Sequence, residues 1–91
     1  MYARVHIVVE GLVQGVGFRW FVQRRAEAMG VKGWVQNLYN GNVELEAEAD
    51  RSLLEELIKE VKVGPRSAQV TNMRIEWKEI APQEFTHFQI R

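Results

Sequence analysis

Three glycines, Gly11, Gly15 and Gly17, fall within seven residues, between a stretch that alternates and a stretch that repeats at helical spacing. Upstream, Ala3, Val5, Ile7 and Val9 face one way and Arg4, His6, Val8 and Glu10 the other, the period-two pattern of a half-buried strand. Downstream, Phe18, Phe21, Val22, Ala26 and Met29 recur along one helix face. Arg24, Arg25 and Glu27 lie toward solvent, and Gly30 supplies the stop. The segment between carries no period, so its backbone needs conformations closed to residues with a Cβ. A strand must therefore turn directly into a helix through a glycine-rich loop.

The remaining elements follow from similar signals. Val31 to Leu38 reads as a second strand, and the Asn40-Gly41 pair predicts a tight antiparallel hairpin into a third strand, Val43 to Ala49. That strand sends Val43, Leu45, Ala47 and Ala49 inward and Glu44, Glu46 and Glu48 outward, where the acids read as a solvated stripe. Asp50 or Ser52 can cap a second helix, with Ser52 and Glu55 at capping-box spacing. Leu54, Leu57, Ile58 and Val61 form its buried stripe, and Gly64-Pro65 ends it. A further strand covers about Val70 to Ile80, with Met73, Ile75 and Trp77 opposing Arg74, Glu76 and Lys78. After Pro82, Phe85 to Ile90 adds a short edge segment. The order βαββαβ plus a short C-terminal strand predicts an α+β, ferredoxin-like sandwich: an antiparallel sheet with two helices on one face. Ninety-one residues with 46% hydrophobic and 26% charged side chains predict a single folded domain spanning 1–91, too small for a cleft between lobes.

Composition removes several functional classes. Lys plus Arg and Asp plus Glu both number 12, so there is no broad positive field, and no nucleic-acid partner is expected. The absence of Cys excludes disulfides, thiolate nucleophiles and Cys-ligated metals. No apolar run approaches the roughly 18 residues of a membrane span, and the start enters alternation without a signal-peptide pattern. A cytoplasmic protein without a membrane partner is the expectation. His6 and His87 stand far apart, each on the polar side of its strand and without H-x-x-H spacing, so both read as solvated and no metal site is expected. Ser52 and Ser67 sit at a cap and in a loop, with no nucleophile elbow. The aromatics Phe18, Phe21, Trp34, Trp77 and Phe88 read as core or its rim, and no RNA-binding aromatic segment is present.

The loop itself has a chemistry. A glycine-rich turn into a helix start leaves several N–H groups converging on one concavity that the helix dipole makes positive. Such a nest favours an anion, and Arg19 at its end can close a planar fork over two phosphate or carboxylate oxygens. The alternative is a turn held by glycines for packing, with Arg19 solvated or ion-paired. Known nucleotide loops do not fit. Gly17 is followed by Phe18-Arg19 rather than Lys-Ser/Thr, and Trp20 stands where a dinucleotide fingerprint needs a small residue. Asn37, before the hairpin turn, leaves two readings open on its own: an amide that satisfies turn backbone, or a functional one.

The segment Gly11 to Arg19, G-L-V-Q-G-V-G-F-R, resembles the first signature of the acylphosphatases. Gly33 to Val43, G-W-V-Q-N-L-Y-N-G-N-V, resembles their second. Length and element order are similar across essentially the whole chain. One position departs: Ala49 stands where the second signature usually ends in Gly. The resemblance implies hydrolysis of a carboxyl–phosphate anhydride to a carboxylate and inorganic phosphate. It implies Arg19 and the N–H groups of Gly15, Val16, Gly17, Phe18 and Arg19 as the phosphate cradle, and Asn37 as the residue that orients water. It further implies a small-molecule acyl phosphate as substrate, a monomer, and neither metal nor organic cofactor. An acyl phosphate carries a good leaving group, and the resemblance implies that one of the substrate's own phosphate oxygens accepts the water's proton, so the absence of a side-chain base is no objection. A non-catalytic ferredoxin-like anion-binding regulatory module is the competing expectation.

Overall fold

The computed structural model describes residues 1–78 and 83–91. Its elements are β1 (Tyr2–Leu12), α1 (Phe18–Met29), β2 (Lys32–Asn37), β3 (Val43–Asp50), α2 (Arg51–Val63), β4 (Gln69–Lys78) and β5 (Phe88–Ile90). The strands form one sheet in the order β4-β1-β3-β2-β5. This is the expected βαββαβ plan with a short terminal strand. The expected end of the fourth strand at Ile80 and the break at Pro82 lie outside the described residues.

β1 is the hub because it pairs antiparallel with both β3 and β4. It runs two residues further than its alternation predicts. A bulge between Glu10 and Gly11 lets Gly11 and Leu12 stay paired with Val70 and Gln69. The hairpin puts Asn37 opposite Val43. β5 is the exception to the antiparallel sheet: the chain reverses after β4 and lies down at the opposite edge, so its direction matches β2.

Both helices cover one face, α1 over β2 and β5 and α2 over β1, β3 and β4. Val5, Ile7, Val9, Val43, Leu45 and Ala47 of the sheet meet Phe18, Val22, Ala26, Leu54, Leu57 and Val61 of the helices, all essentially buried. At about 1.5–3 kcal/mol for each large aliphatic or aromatic side chain, this layer dominates the fold's stability. β4 is covered less, and Ile75, on this edge strand, remains 42% exposed. α1 ends at Gly30 as expected, with Val31 N–H donating to the Ala26 carbonyl at 2.8 Å. α2 is capped by Asp50, whose carboxylate accepts from the Ser52 N–H at 3.2 Å and from the Ser52 hydroxyl at 2.6 Å. Ser52 therefore lies within the helix and donates to the cap residue instead of serving as one. Ala49, where the family pattern has Gly, is an ordinary strand residue opposite Ala3, and no residue other than glycine has a positive φ among the described residues.

The acid stripe is a correction to the sequence reading. Glu48 is only 1% exposed and pairs with Arg4 at 2.7 Å, while Phe85 and Glu84 donate main-chain N–H groups to its other oxygen at 3.0 and 2.9 Å. Burial pushes the Glu48 carboxyl upward, but the Phe85 N–H, the Arg4 guanidinium and the Glu84 N–H outweigh it and hold the group below its ordinary value. His6 is likewise not solvated. It lies half-buried with Nε2 2.6 Å from Glu44 Oε2. The chain returning near residue 85 covers this end of the sheet, with Phe85 stacked 5.1 Å from the Arg4 guanidinium.

Candidate active site

The loop between β1 and α1 begins the helix on Gly17, whose φ of 76° and ψ of 23° are left-handed. Gly15 has a similar φ of 74°. A Cβ at either position would meet nothing within 4 Å, so glycine is required there by conformation and not by crowding. A helix normally begins on a residue whose side chain accepts from its first N–H groups. Gly17 has none, and the first turn contains no acid. The helix start thus presents positive partial charge without a counter-group of its own.

Five of the six expected residues, Gly15, Gly17, Phe18, Arg19 and Asn37, line one hollow of about 310 Å³ with Val13, Trp20 and Ile90. The sixth, Val16, turns its side chain toward the core and a neighbouring hollow. It can face the first hollow only through its main chain. Arg19 uses one of its five donors, Nη1, on the main-chain oxygen of Arg91 at 3.0 Å. Asn37 ends β2 and is exposed, and among the described residues no protein group bonds its side-chain amide. The turn-satisfying role open to it from sequence belongs to other residues. Gln14 Nε2 donates to the Leu38 and Asn42 carbonyls, both at 2.8 Å, and Asn40 Oδ1 accepts from the Asn42 N–H at 3.0 Å.

An uncapped helix start, a guanidinium and an unengaged carboxamide therefore share a concavity. Among the described residues, no three His, Asp or Glu side chains are grouped to hold a metal ion. Comparison with known proteins identifies the family. The family model described as Acylphosphatase matches residues 5–90. An acylphosphatase of Chlorobaculum tepidum is 48% identical over 77 residues, which span 85% of this chain and 84% of that one. The chain belongs to the acylphosphatase family. Its structure superposes on the acylphosphatase from Bacillus subtilis with a TM-score of 0.93 at 35% identity, covering 100% of this chain and 99% of that one. It also resembles part of full-length HypF in its phosphate- and nucleotide-bound form, with a TM-score of 0.85 at 28% identity. That match covers all of this chain but only 12% of HypF. As an acylphosphatase, the chain is a hydrolase whose general reaction is cleavage of acyl phosphates.

Four contributors to the hollow and its surroundings, Gln14, Trp20, Ile90 and the Arg91 main chain, were not among the expected site residues. Gln14 lies inside the first signature, yet nothing in its spacing says that it reaches the hairpin. Ile90 and the Arg91 main chain come from the terminal strand, brought in by the parallel pairing of β5 with β2. Arg91 is fixed there by its N–H on the Val35 carbonyl at 2.8 Å and by its guanidinium 4.5 Å from the Trp34 ring. Of these, Trp20 alone had a local signal, a large apolar residue directly after Arg19; in the structure it is 60% exposed.

Proposed function

We propose that this chain, a single domain acting as a monomer, hydrolyses small-molecule acyl phosphates without a metal or organic cofactor. The phosphate sits at the glycine loop against the N–H groups of Gly15 to Arg19, with Arg19 closing over it. Asn37 aims water at phosphorus. The new bond joins the water oxygen to phosphorus as the bond from phosphorus to the acyl oxygen breaks. The carboxylate leaves with that electron pair, and the water's proton goes to a phosphate oxygen.

The observation that carries this reading is the convergence of Arg19 and Asn37, from two separated sequence blocks, on one hollow beside the uncapped start of α1. Arg19 and the N–H groups interact with phosphate in the ground state and more strongly as charge spreads over its equatorial oxygens. Asn37 offers a donor and an acceptor and stays neutral, so it orients water without repelling the anion. Benzoyl phosphate hydrolysis, measured with and without a chelator, tests the proposal. Expected are turnover unaffected by chelation and competition by inorganic phosphate. Phosphate binding without turnover would instead identify an anion-binding regulatory module.

A further inference from the structure

Beyond the cradle lies a second hollow of about 570 Å³ that shares Gly17 and Trp20 with the first. Val16, Phe21 and Pro65 give it an apolar floor, and Arg24 and Arg25 give it two guanidinium groups. The two arginines differ. Arg25 is paired with Glu60 at 3.3 Å and stacked 5.1 Å from the Phe21 ring. Arg24 lies 5.0 Å from the Trp20 ring centroid and has no carboxylate partner among the described residues. Among the described residues, no acidic side chain lines either hollow.

The acyl group of a substrate whose phosphate occupies the first hollow must leave the cradle along some surface. Trp20 borders both hollows and is 60% exposed, so it offers a flat apolar path between them. Arg24, one turn further along α1, brings its guanidinium to that ring, 5.0 Å from the centroid, so the path ends at a positive charge. An indole followed by an unneutralised guanidinium suits an acyl chain with an apolar middle and an anionic end.

We propose that the acyl end of the substrate lies over Trp20, and that Arg24 favours acyl phosphates carrying a second negative charge. This names a substrate class for the proposed hydrolase and rests on that reading. Arg24 is solvent-exposed, so its contribution is that of a surface ion pair, about fivefold in kcat/KM at low salt.

The test compares glutaryl phosphate with acetyl phosphate on the full chain and on Arg24→Gln and Arg24→Lys variants. The expected result is a glutaryl-to-acetyl ratio of kcat/KM that falls about fivefold in Arg24→Gln, is largely restored in Arg24→Lys, and declines in the parent chain as salt is raised. Turnover of acetyl phosphate by each variant shows that it is folded. A ratio unchanged by Arg24→Gln overturns the subsite and leaves the hydrolase intact. A parent chain that cleaves neither compound overturns the hydrolase reading and the subsite together.

Discussion

Gln14 Nε2 donates to the main-chain oxygen of Asn42 at 2.8 Å, joining the glycine loop to the turn that follows Asn37. The same nitrogen reaches the Leu38 carbonyl. One side chain thus ties the loop proposed to hold phosphate to the turn next to Asn37. Gln14→Leu should cost about 1–2 kcal/mol in urea denaturation, the scale of two lost hydrogen bonds. It should also lower kcat through misalignment. Gln14→Glu should be worse, because a carboxylate meets two carbonyls with nothing to donate. An unchanged kcat in a folded Gln14→Leu protein would mean that loop and turn are positioned independently.

Arg19→Ala should reduce kcat/KM by at least roughly 10²-fold, the scale of removing one preorganised charge-stabilising donor. Arg19→Lys keeps the charge but loses the fork and its bond to the Arg91 main chain, so it should fall between the two. Steady-state kinetics with benzoyl phosphate decides. Near-parental turnover in Arg19→Ala would end the assignment.

Asn37→Ala should act on kcat far more than on competitive inhibition by inorganic phosphate, since the role proposed for the amide is to orient water and not to hold the anion. Its side chain is exposed and has no protein partner among the described residues, so folding stability should scarcely change. A variant that mainly raises KM would reassign Asn37 to substrate binding.

Glu48 sets an acid limit on stability. Its carboxyl is lower in the folded chain than in the unfolded one, so the unfolded state binds the proton first. The stabilisation is complete above the ordinary carboxylate range near pH 4.3 and is lost as pH falls through the depressed folded value. Glu48→Gln should flatten the pH dependence of unfolding in that window. Glu48→Ala, which leaves Arg4 buried without its nearest partner on the sheet, should cost about 3 kcal/mol at neutral pH. That is the low end for a broken buried pair, because Glu84 still faces Arg4 at 2.6 Å. Chemical denaturation across pH 2–7 measures both.

Much of the architecture was legible because its signals are local. Alternation in β1 and β3, the helical stripe from Phe18 to Met29, and the Asn40-Gly41 turn each announce an element within about ten residues. The loop and Arg19 were legible for the same reason. What escaped was decided by chain returning from far away. The alternation that placed Glu48 opposite the core was correct, but its burial comes from residues near position 85, which no period within β3 can reveal. The same return placed Ile90 and the Arg91 main chain beside Arg19. Asp50 rather than Ser52 caps α2 because β3 runs one residue longer than its apolar pattern, so the helix begins at Arg51.

The left-handed glycine at the head of α1 leaves that helix without the side-chain anchor most helices carry, and any oxyanion seated there supplies the missing one. Melting temperature should therefore depend on buffer identity. Inorganic phosphate should raise it above that in chloride of matched ionic strength, by an amount that grows with the logarithm of concentration once the hollow is saturated. Resistance to heat and occupancy of the reaction centre would then be two readings of a single equilibrium.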